Sequence, residues 1–227
     1  MLLRDQWKDK AVVFLPPAVP YFWKSCELFG MENAFYRMVE APEVYTALLD
    51  RMALDSEAIL LHFLEKAKGQ VDIVELWDDV AGQQGMLVNP AWWRKVMKPY
   101  LARDVGLIRD YGLKVLFHSC GAVRPILQEL IEIGVDALLV FQVNAAGMEP
   151  RAIARDFGGK LAFYGGVDVQ HLLTSGTSEQ VADQVRYNID CFKGCGGYMV
   201  ANCHSHIRTI QGANLVAMCQ AARDYPL

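Results

Sequence analysis

The chain has 227 residues, of which 53% are hydrophobic and 21% charged, and its formal net charge is −4 at pH 7. This length fits one large domain or two small ones, and the charge gives no electrostatic reason to expect nucleic acid or an anionic membrane as a partner. No uncharged apolar run approaches the roughly 20 residues of a bilayer span, and charges interrupt the N-terminus where a signal peptide would be apolar. The sequence therefore predicts a soluble, cytoplasmic protein, and its six cysteines are too few for a disulfide scaffold.

Short apolar runs alternate with longer amphipathic stretches along the chain. Such runs predict parallel strands that are buried on both faces. The predicted strands are residues 11–15, 72–77, 114–118, 137–141, 161–165 and 198–202. The predicted helices are residues 42–68, 90–111, 123–133, 150–157, 178–193 and 212–223. This alternation predicts an α/β fold with a parallel sheet, either a barrel or a doubly wound sheet.

Six strands are fewer than the eight of a closed (β/α) barrel. A barrel would therefore mean that its first strands are absent or come from elsewhere. The sheet edges near residues 11–15 or 198–202 would then lack a partner. Because exposed edges invite association, homo-oligomers or aggregation are expected.

Polar residues follow five of the predicted strands. In parallel sheets this is the carboxyl edge, where ligands bind. The polar clusters are Asp78, Asp79, Gln83 and Gln84, then residues 118–121, then Gln142 and Asn144, then Asp168 and Gln170, and last residues 202–206. Their common position predicts an active site at this edge.

His118 and Cys120 are two residues apart, so on an extended chain both side chains point to the same side. An imidazole beside a thiolate suits zinc, which favours tetrahedral nitrogen and sulfur ligands. The alternative is a buried thiol beside a core histidine. A second cluster, Cys203, His204 and His206, also follows a predicted strand. Three protein ligands with an open fourth position are typical of catalytic zinc.

Seven segments, in order and spacing, resemble the uroporphyrinogen decarboxylase superfamily and, within it, the zinc methyltransferase-like branch. The similarity runs from about residue 71 to the C-terminus. The segments are WDDVAG (77–82), NPAWWRKVMKPY (89–100), FHSCG (117–121), IEIGVDAL (131–138), FYGGVDVQHLL (163–173), GGYMVANCHSHI (196–207) and GANLVAM (212–218).

The resemblance implies a (β/α)8 TIM-barrel fold, of which residues 1–227 would form a single domain lacking the N-terminal strands. Decarboxylases of the superfamily act on uroporphyrinogen without a cofactor. Their arginine- and glycine-rich N-terminal motif and their pyrrole-binding aspartate do not appear here. The decarboxylase branch also lacks the His-x-Cys pair, which the methyltransferase branch has.

By this resemblance His118 and Cys120 are the first two zinc ligands. The third ligand comes from the last strand and falls on His204, where coenzyme M methylases have cysteine. Cys203 is adjacent and is the alternative third ligand. Asp79, or Glu75 on the strand before it, is expected to be a catalytic carboxylate that acts as an outer-shell group or a fourth ligand.

Asp168, Gln170 and Gln142 are the expected substrate contacts. The predicted function is zinc-dependent transfer of a methyl group between a corrinoid protein and a thiol or pterin acceptor. Two alternatives remain open from the sequence. One is a uroporphyrinogen decarboxylase in porphyrin biosynthesis, and the other is a non-catalytic or degenerate barrel fragment.

Overall fold

A computed structural model describes residues 7–205 and 208–226 of the chain. Its six strands belong to one sheet, in which their order follows the chain. The strands are β1 (Val13–Phe14), β2 (Ile73–Trp77), β3 (Lys114–His118), β4 (Ala137–Phe141), β5 (Ala162–Val167) and β6 (Tyr198–Asn202). The predicted α/β fold of barrel type with six parallel strands is confirmed, although β1 is shorter than predicted.

Ten α-helices lie in the described ranges. They are α1 (Tyr21–Phe29), α2 (Met31–Glu40), α3 (Pro42–Ala67), α4 (Pro90–Val96), α5 (Lys98–Asp110), α6 (Leu127–Ile133), α7 (Pro150–Phe157), α8 (Leu172–Ser175), α9 (Ser178–Phe192) and α10 (Gly212–Asp224). One 3-10 turn, Arg124–Ile126, precedes α6. Within the residues described, no helix is both long enough and apolar enough to cross a bilayer.

The chain divides into two compact units, and the described residues of the first are 7–80, 88–118 and 129–136. In this unit β1 pairs with β2 and β2 with β3, both in parallel. Fully buried side chains form its core, each stabilising the fold by about 1.5–3 kcal/mol. The largest of them are Trp93, Tyr45, Phe22, Phe117, Leu49 and Leu60.

Helices α1 and α2 were not predicted from the sequence. Helix α1 begins after Pro20 without a local side-chain cap. Instead, the carboxylate of Asp78, more than 50 residues away, accepts hydrogen bonds from the N–H groups of Phe22 (2.7 Å) and Trp23 (2.9 Å). A cap from a distant strand end satisfies the first turn but leaves no local signal in the sequence.

Asp104 on α5 is a buried carboxylate of the first unit. One of its oxygens, Oδ2, accepts hydrogen bonds from the hydroxyl groups of Tyr21 and Ser56, each at 2.9 Å. Burial raises the pKa of Asp104 to about 6, against the lowering effect of these two hydrogen bonds.

The predicted helix 90–111 is in fact two helices, α4 and α5, which meet at Met97. Pro99 lies in the first turn of α5, where its missing N–H group is tolerated. The predicted N-cap of α4 is confirmed, because the Asn89 side chain accepts from the N–H groups of Ala91 and Trp92.

The second unit comprises residues 81–87, 119–128, 137–205 and 208–226 of the described chain. Within it β4 pairs with β5 and β5 with β6, again in parallel. Phe141, Phe163 and Phe192 pack together, with ring centroids 5.2–5.6 Å apart. A further apolar cluster includes Val167, Leu173, Val185, Cys203 and Met218. Whether the two units behave as the predicted single domain stays a prediction.

Candidate metal centre

The carboxyl ends of β2 and β3 are neighbours in the first unit. Trp77 is the register partner of His118, and the Asp78 N–H donates to the His118 carbonyl at 2.9 Å. Asp79 therefore leaves β2 beside the point where His118 ends β3. The Nε2 atom of His118 lies 3.5 Å from Oδ1 of Asp79, and both side chains are about one quarter exposed.

Asp79, His118 and Cys120 each offer one potential metal ligand, and these three atoms lie within 4.8 Å of one another. They are the only such group of three or more among the described His, Cys, Asp and Glu residues. The separation of 3.5 Å between Nε2 and Oδ1 exceeds the usual 2.7–3.2 Å of an N–H···O hydrogen bond. It matches the roughly 3–4 Å between ligand atoms that share a tetrahedral zinc ion.

The donor set fits zinc chemically. Imidazole nitrogen, thiolate sulfur and carboxylate oxygen are its three common protein ligands, and a site with three of them leaves a fourth position for a substrate. All three side chains are only partly exposed, so a bound ion would lie in a region of reduced solvent screening. These residues can therefore hold a metal with an open coordination position.

Two more carboxylates lie near this group. Glu75 is half-buried on β2, and burial raises its pKa, while the nearby imidazole of His118 acts in the opposite direction. Burial also raises the pKa of Asp78 to about 7, against the effect of its backbone hydrogen bonds. Neither belongs to the ligand group. Since the Asp78 carboxylate accepts from the first turn of α1, its position anchors that helix.

The loop that follows β3 is held by hydrogen bonds within the second unit. The Gly121 N–H donates to Oε1 of Gln142 at 2.6 Å, and Nε2 of Gln83 donates to the same oxygen at 3.1 Å. The Ala122 N–H donates to the Gly82 carbonyl at 2.9 Å. Gln142, predicted as a substrate contact, is buried and its Oε1 accepts from two protein N–H groups.

The two predicted substrate contacts after β5 differ in exposure. The Asp168 carboxylate is buried and accepts from the N–H groups of Gln170 (2.7 Å), His171 (3.1 Å) and Leu172 (3.1 Å). It therefore closes the turn that leads into α8. The side chain of Gln170 is exposed. Their role as substrate contacts stays a prediction.

The Cys203 and His204 side chains lie in opposite environments. Cys203 is 3% exposed within an apolar cluster, and burial raises the pKa of its thiol to about 11. His204 is exposed at the end of β6. Neither belongs to the ligand group of Asp79, His118 and Cys120. His206, the third member of the predicted cluster, lies outside the described residues.

Sequence reasoning noticed Asp78 and Gln83 among polar strand-end residues but gave them no role. Both act through hydrogen bonds to residues far away in the chain, Asp78 to α1 and Gln83 to Gln142. The only available signal was their position after β2. That signal cannot distinguish a residue that supports a site from one that lies within it.

The family follows from a comparison of the whole chain with known families. A sequence profile of uroporphyrinogen decarboxylase (URO-D) matches residues 25–225. The chain belongs to this family. The match covers most of the chain, including the WDDVAG and FHSCG segments and the strand ends on which the ligand group lies. No curated protein matches the chain.

Solved structures give the fold independently. A methyltransferase from Methanosarcina mazei is similar with a TM-score of 0.76 and 16% sequence identity. The similarity covers 98% of this chain and 61% of that chain, so the present chain spans about three fifths of the methyltransferase. The IolI protein, solved with a bound zinc atom, is similar with a TM-score of 0.46, 12% identity and coverage of 94% and 95%. At this level of identity the first similarity establishes the fold alone.

Proposed function

We propose that this chain is part of a zinc-dependent, methyltransferase-like enzyme of the uroporphyrinogen decarboxylase family. The proposal rests on one observation above the others, the grouping of potential ligand atoms from Asp79, His118 and Cys120 within 4.8 Å. The similarity of the fold to that of the Methanosarcina methyltransferase also supports a methyltransferase-like enzyme. A decarboxylase that works without a cofactor has no need for a thiol and an imidazole in this arrangement.

Zinc bound at this site would supply Lewis-acid activation, lowering the pKa of a coordinated thiol so that the nucleophilic thiolate exists at neutral pH. His118 contributes a neutral imidazole nitrogen, and the main-chain hydrogen bond between its carbonyl and Asp78 fixes the end of β3. Cys120 contributes the soft sulfur ligand. Asp79 contributes a carboxylate, whose charge favours a cation beside His118.

Glu75 has a separate role in the proposal. Its half-buried carboxyl has a raised pKa, so the protonated form is favoured there more than on an exposed surface. It lies two residues before Trp77 on the same strand face, because alternate residues of a strand share a face. We assign it a place beside His118, where it can hold a proton near the acceptor or the departing group.

If the last strand supplies the third ligand beside His118 and Cys120, we propose that this ligand is His204 rather than Cys203. Asp79 then acts as an outer-shell carboxylate, which keeps the fourth position open. Cys203 lies in an apolar cluster, and with a pKa of about 11 its thiolate is scarce at neutral pH. A metal must deprotonate a thiol to bind it, and burial opposes that step. His204 has an exposed imidazole that can bind as a neutral ligand.

The proposed substrates and partner follow from the same chemistry. A methylated corrinoid, presented by a partner protein, is the donor, and a small thiol or pterin is the acceptor. Of the two predicted contacts after β5, Gln170 is retained as a proposed substrate contact, and Asp168 is proposed to act on the loop. The closed turn around Asp168 assigns it to shaping the loop, and the exposed Gln170 to direct contact.

Zinc analysis of the purified chain, with a methyl-transfer assay from methylcobalamin to a thiol, tests the function. We expect about one equivalent of zinc, its loss in Cys120→Ala, and its retention in the matched control Cys219→Ala, which changes an exposed cysteine on α10. Methyl transfer should follow the zinc content. Absence of zinc binding, or consumption of uroporphyrinogen by the metal-free chain, would overturn the proposal and favour decarboxylation.

A second set of variants identifies the remaining ligand. Asp79→Ala should weaken zinc binding by roughly 100-fold or more if its carboxylate is a ligand, and by roughly 10- to 100-fold if it only orients His118. His204→Ala tests the proposed ligand from the last strand, and His62→Ala, an exposed histidine on α3, is its control. Equal zinc affinity of the His204 and His62 variants would remove His204 from the site.

A further inference from the structure

The backbone that carries Cys120 is restrained at the next residue. Gly121 has φ +86°, in the left-handed region that favours glycine. A Cβ atom at this position would lie 2.5 Å from the Gly82 carbonyl oxygen, so no larger residue fits. The backbone of the loop is therefore pressed closely against residues 81–82 of the same unit. Within this close contact, hydrogen bonds from the Gly121 and Ala122 N–H groups hold the loop in place.

Gln142 holds this loop from a neighbouring strand end. It directly follows β4, is 6% exposed, and its Oε1 accepts the Gly121 N–H at 2.6 Å. The same oxygen accepts from Nε2 of Gln83, so the Gln142 side chain is itself held. A side chain restrained in this way can fix the position of a backbone group, whereas a freely rotating one cannot.

We propose that Gln142 is a positioning residue that fixes the Cys120 thiol for metal binding through the Gly121 N–H. The inference rests on the proposed function for its metal, and on the hydrogen bonds of the second unit for its geometry. It gives Gln142 a different role from the predicted contact with substrate. Residues that orient metal ligands commonly change metal affinity without touching the ion.

The chemistry of an amide suits this role. A carboxamide oxygen has two lone pairs and accepts both N–H groups without placing a charge beside the metal ligands. Glutamate has the same shape and also accepts both, while leucine has similar size and accepts neither. Replacement by leucine would leave the Gly121 N–H without its buried acceptor and release the loop.

The experiment compares Gln142→Leu and Gln142→Glu with a matched control, Asn188→Leu. Asn188 is a fully buried amide of the same unit, whose Nδ2 donates to the Gly166 carbonyl at 2.8 Å and not to the Gly121 loop. Three quantities are measured for each variant: the zinc affinity, the unfolding midpoint in denaturant, and the alkylation rate of Cys120 in the metal-free protein, read peptide by peptide by mass spectrometry.

We expect Gln142→Leu to weaken zinc binding by roughly 10- to 100-fold, the range for groups that orient a ligand. It should also change the alkylation rate of Cys120 several-fold. Gln142→Glu keeps both acceptor positions, so it should stay much closer to wild type than Gln142→Leu in both quantities, although its carboxyl group can carry a charge. Asn188→Leu should lower the unfolding midpoint and leave Cys120 reactivity and zinc affinity unchanged. Rescue by glutamate separates positioning from simple loss of packing.

Two results would overturn the inference. One is an unchanged Cys120 alkylation rate in Gln142→Leu, and the other is an equal change in Asn188→Leu, which would mean that the effect passes through overall stability. The alkylation measurement needs no metal. If the wild-type chain binds no zinc, the proposed function fails, while a selective change at Cys120 still supports the positioning role of Gln142.

Discussion

The ends of β3 and β6 carry similar cysteine–histidine patterns but provide very different environments. At the end of β3, His118 and Cys120 are partly exposed, and Asp79 completes a group of potential ligands. At the end of β6, Cys203 is buried among apolar side chains with a pKa of about 11, while His204 is exposed. The same residue types therefore give a candidate metal site in one place and a core thiol beside a surface histidine in the other.

The largest expected difference between the two strand ends is in metal affinity. Cys120→Ala should weaken zinc binding by more than the roughly 10- to 100-fold expected for a residue that only orients a ligand, because a soft ligand is lost from the site. Cys203→Ala should leave zinc affinity within a few-fold of wild type, since its thiol lies in the apolar cluster. Competition with a chromophoric chelator measures both. Comparable losses in the two variants would show that both cysteines bind the metal.

The second-largest expected difference is in the reactivity of the Cys120 and Cys203 thiols. A pKa raised from the usual 9.0 to about 11 reduces the thiolate fraction of Cys203 about 100-fold at neutral pH, and its burial reduces access further. Cys120 should therefore be alkylated far faster than Cys203 in the metal-free chain, and zinc should protect Cys120 alone. Mass spectrometry of the peptides after timed alkylation measures both rates. Rapid modification of Cys203 in the folded chain would contradict its burial.

The raised pKa of the Cys203 thiol should make the free energy of unfolding fall at alkaline pH. Its pKa is raised in the folded chain, so its contribution is fully present below the unfolded value near 9 and is lost as pH rises to about 11. The loss should amount to about 1–3 kcal/mol, at about 1.4 kcal/mol per pKa unit. Denaturant unfolding of wild type and Cys203→Ala between pH 8 and pH 11 checks it, as their stability difference should change only above pH 9. If the unfolding free energies of the two proteins depend on pH in the same way, Cys203 makes no such contribution to stability.

The smallest expected effect concerns the loop between β5, which pairs with β6, and helix α8. Asp168→Ala removes the acceptor of three N–H groups and should destabilise the fold by about 1–2 kcal/mol, as the loss of a helix cap does. Zinc affinity should not change. Unfolding midpoints and zinc titrations, with exposed Asp183→Ala on α9 as control, measure it. A loss of methyl transfer at unchanged stability would instead make Asp168 a substrate contact.

The strands, and the strand ends at which the candidate site is proposed, were predictable because they depend on local patterns. A buried parallel strand is a continuous apolar run, which is why β3, β4 and β6 were predicted with their observed bounds. Two residues separated by one other share a side of an extended chain, so His118 and Cys120 could be paired from their spacing alone. Helices α1 and α2 were not predicted. For α1 the reason is that its capping group, the Asp78 carboxylate, lies far along the chain.

The sequence by itself determined the strand–helix alternation, the edge at which polar residues collect, and the pairing of His118 with Cys120. Only the tertiary structure decided that Asp79 rather than Glu75 joins them, that Cys203 is buried, and that Gln142 supports the loop. The physical reason is range. Periodicity and spacing act between neighbours in the chain, whereas burial and hydrogen bonds to distant backbone groups depend on which segments the folded chain brings into contact.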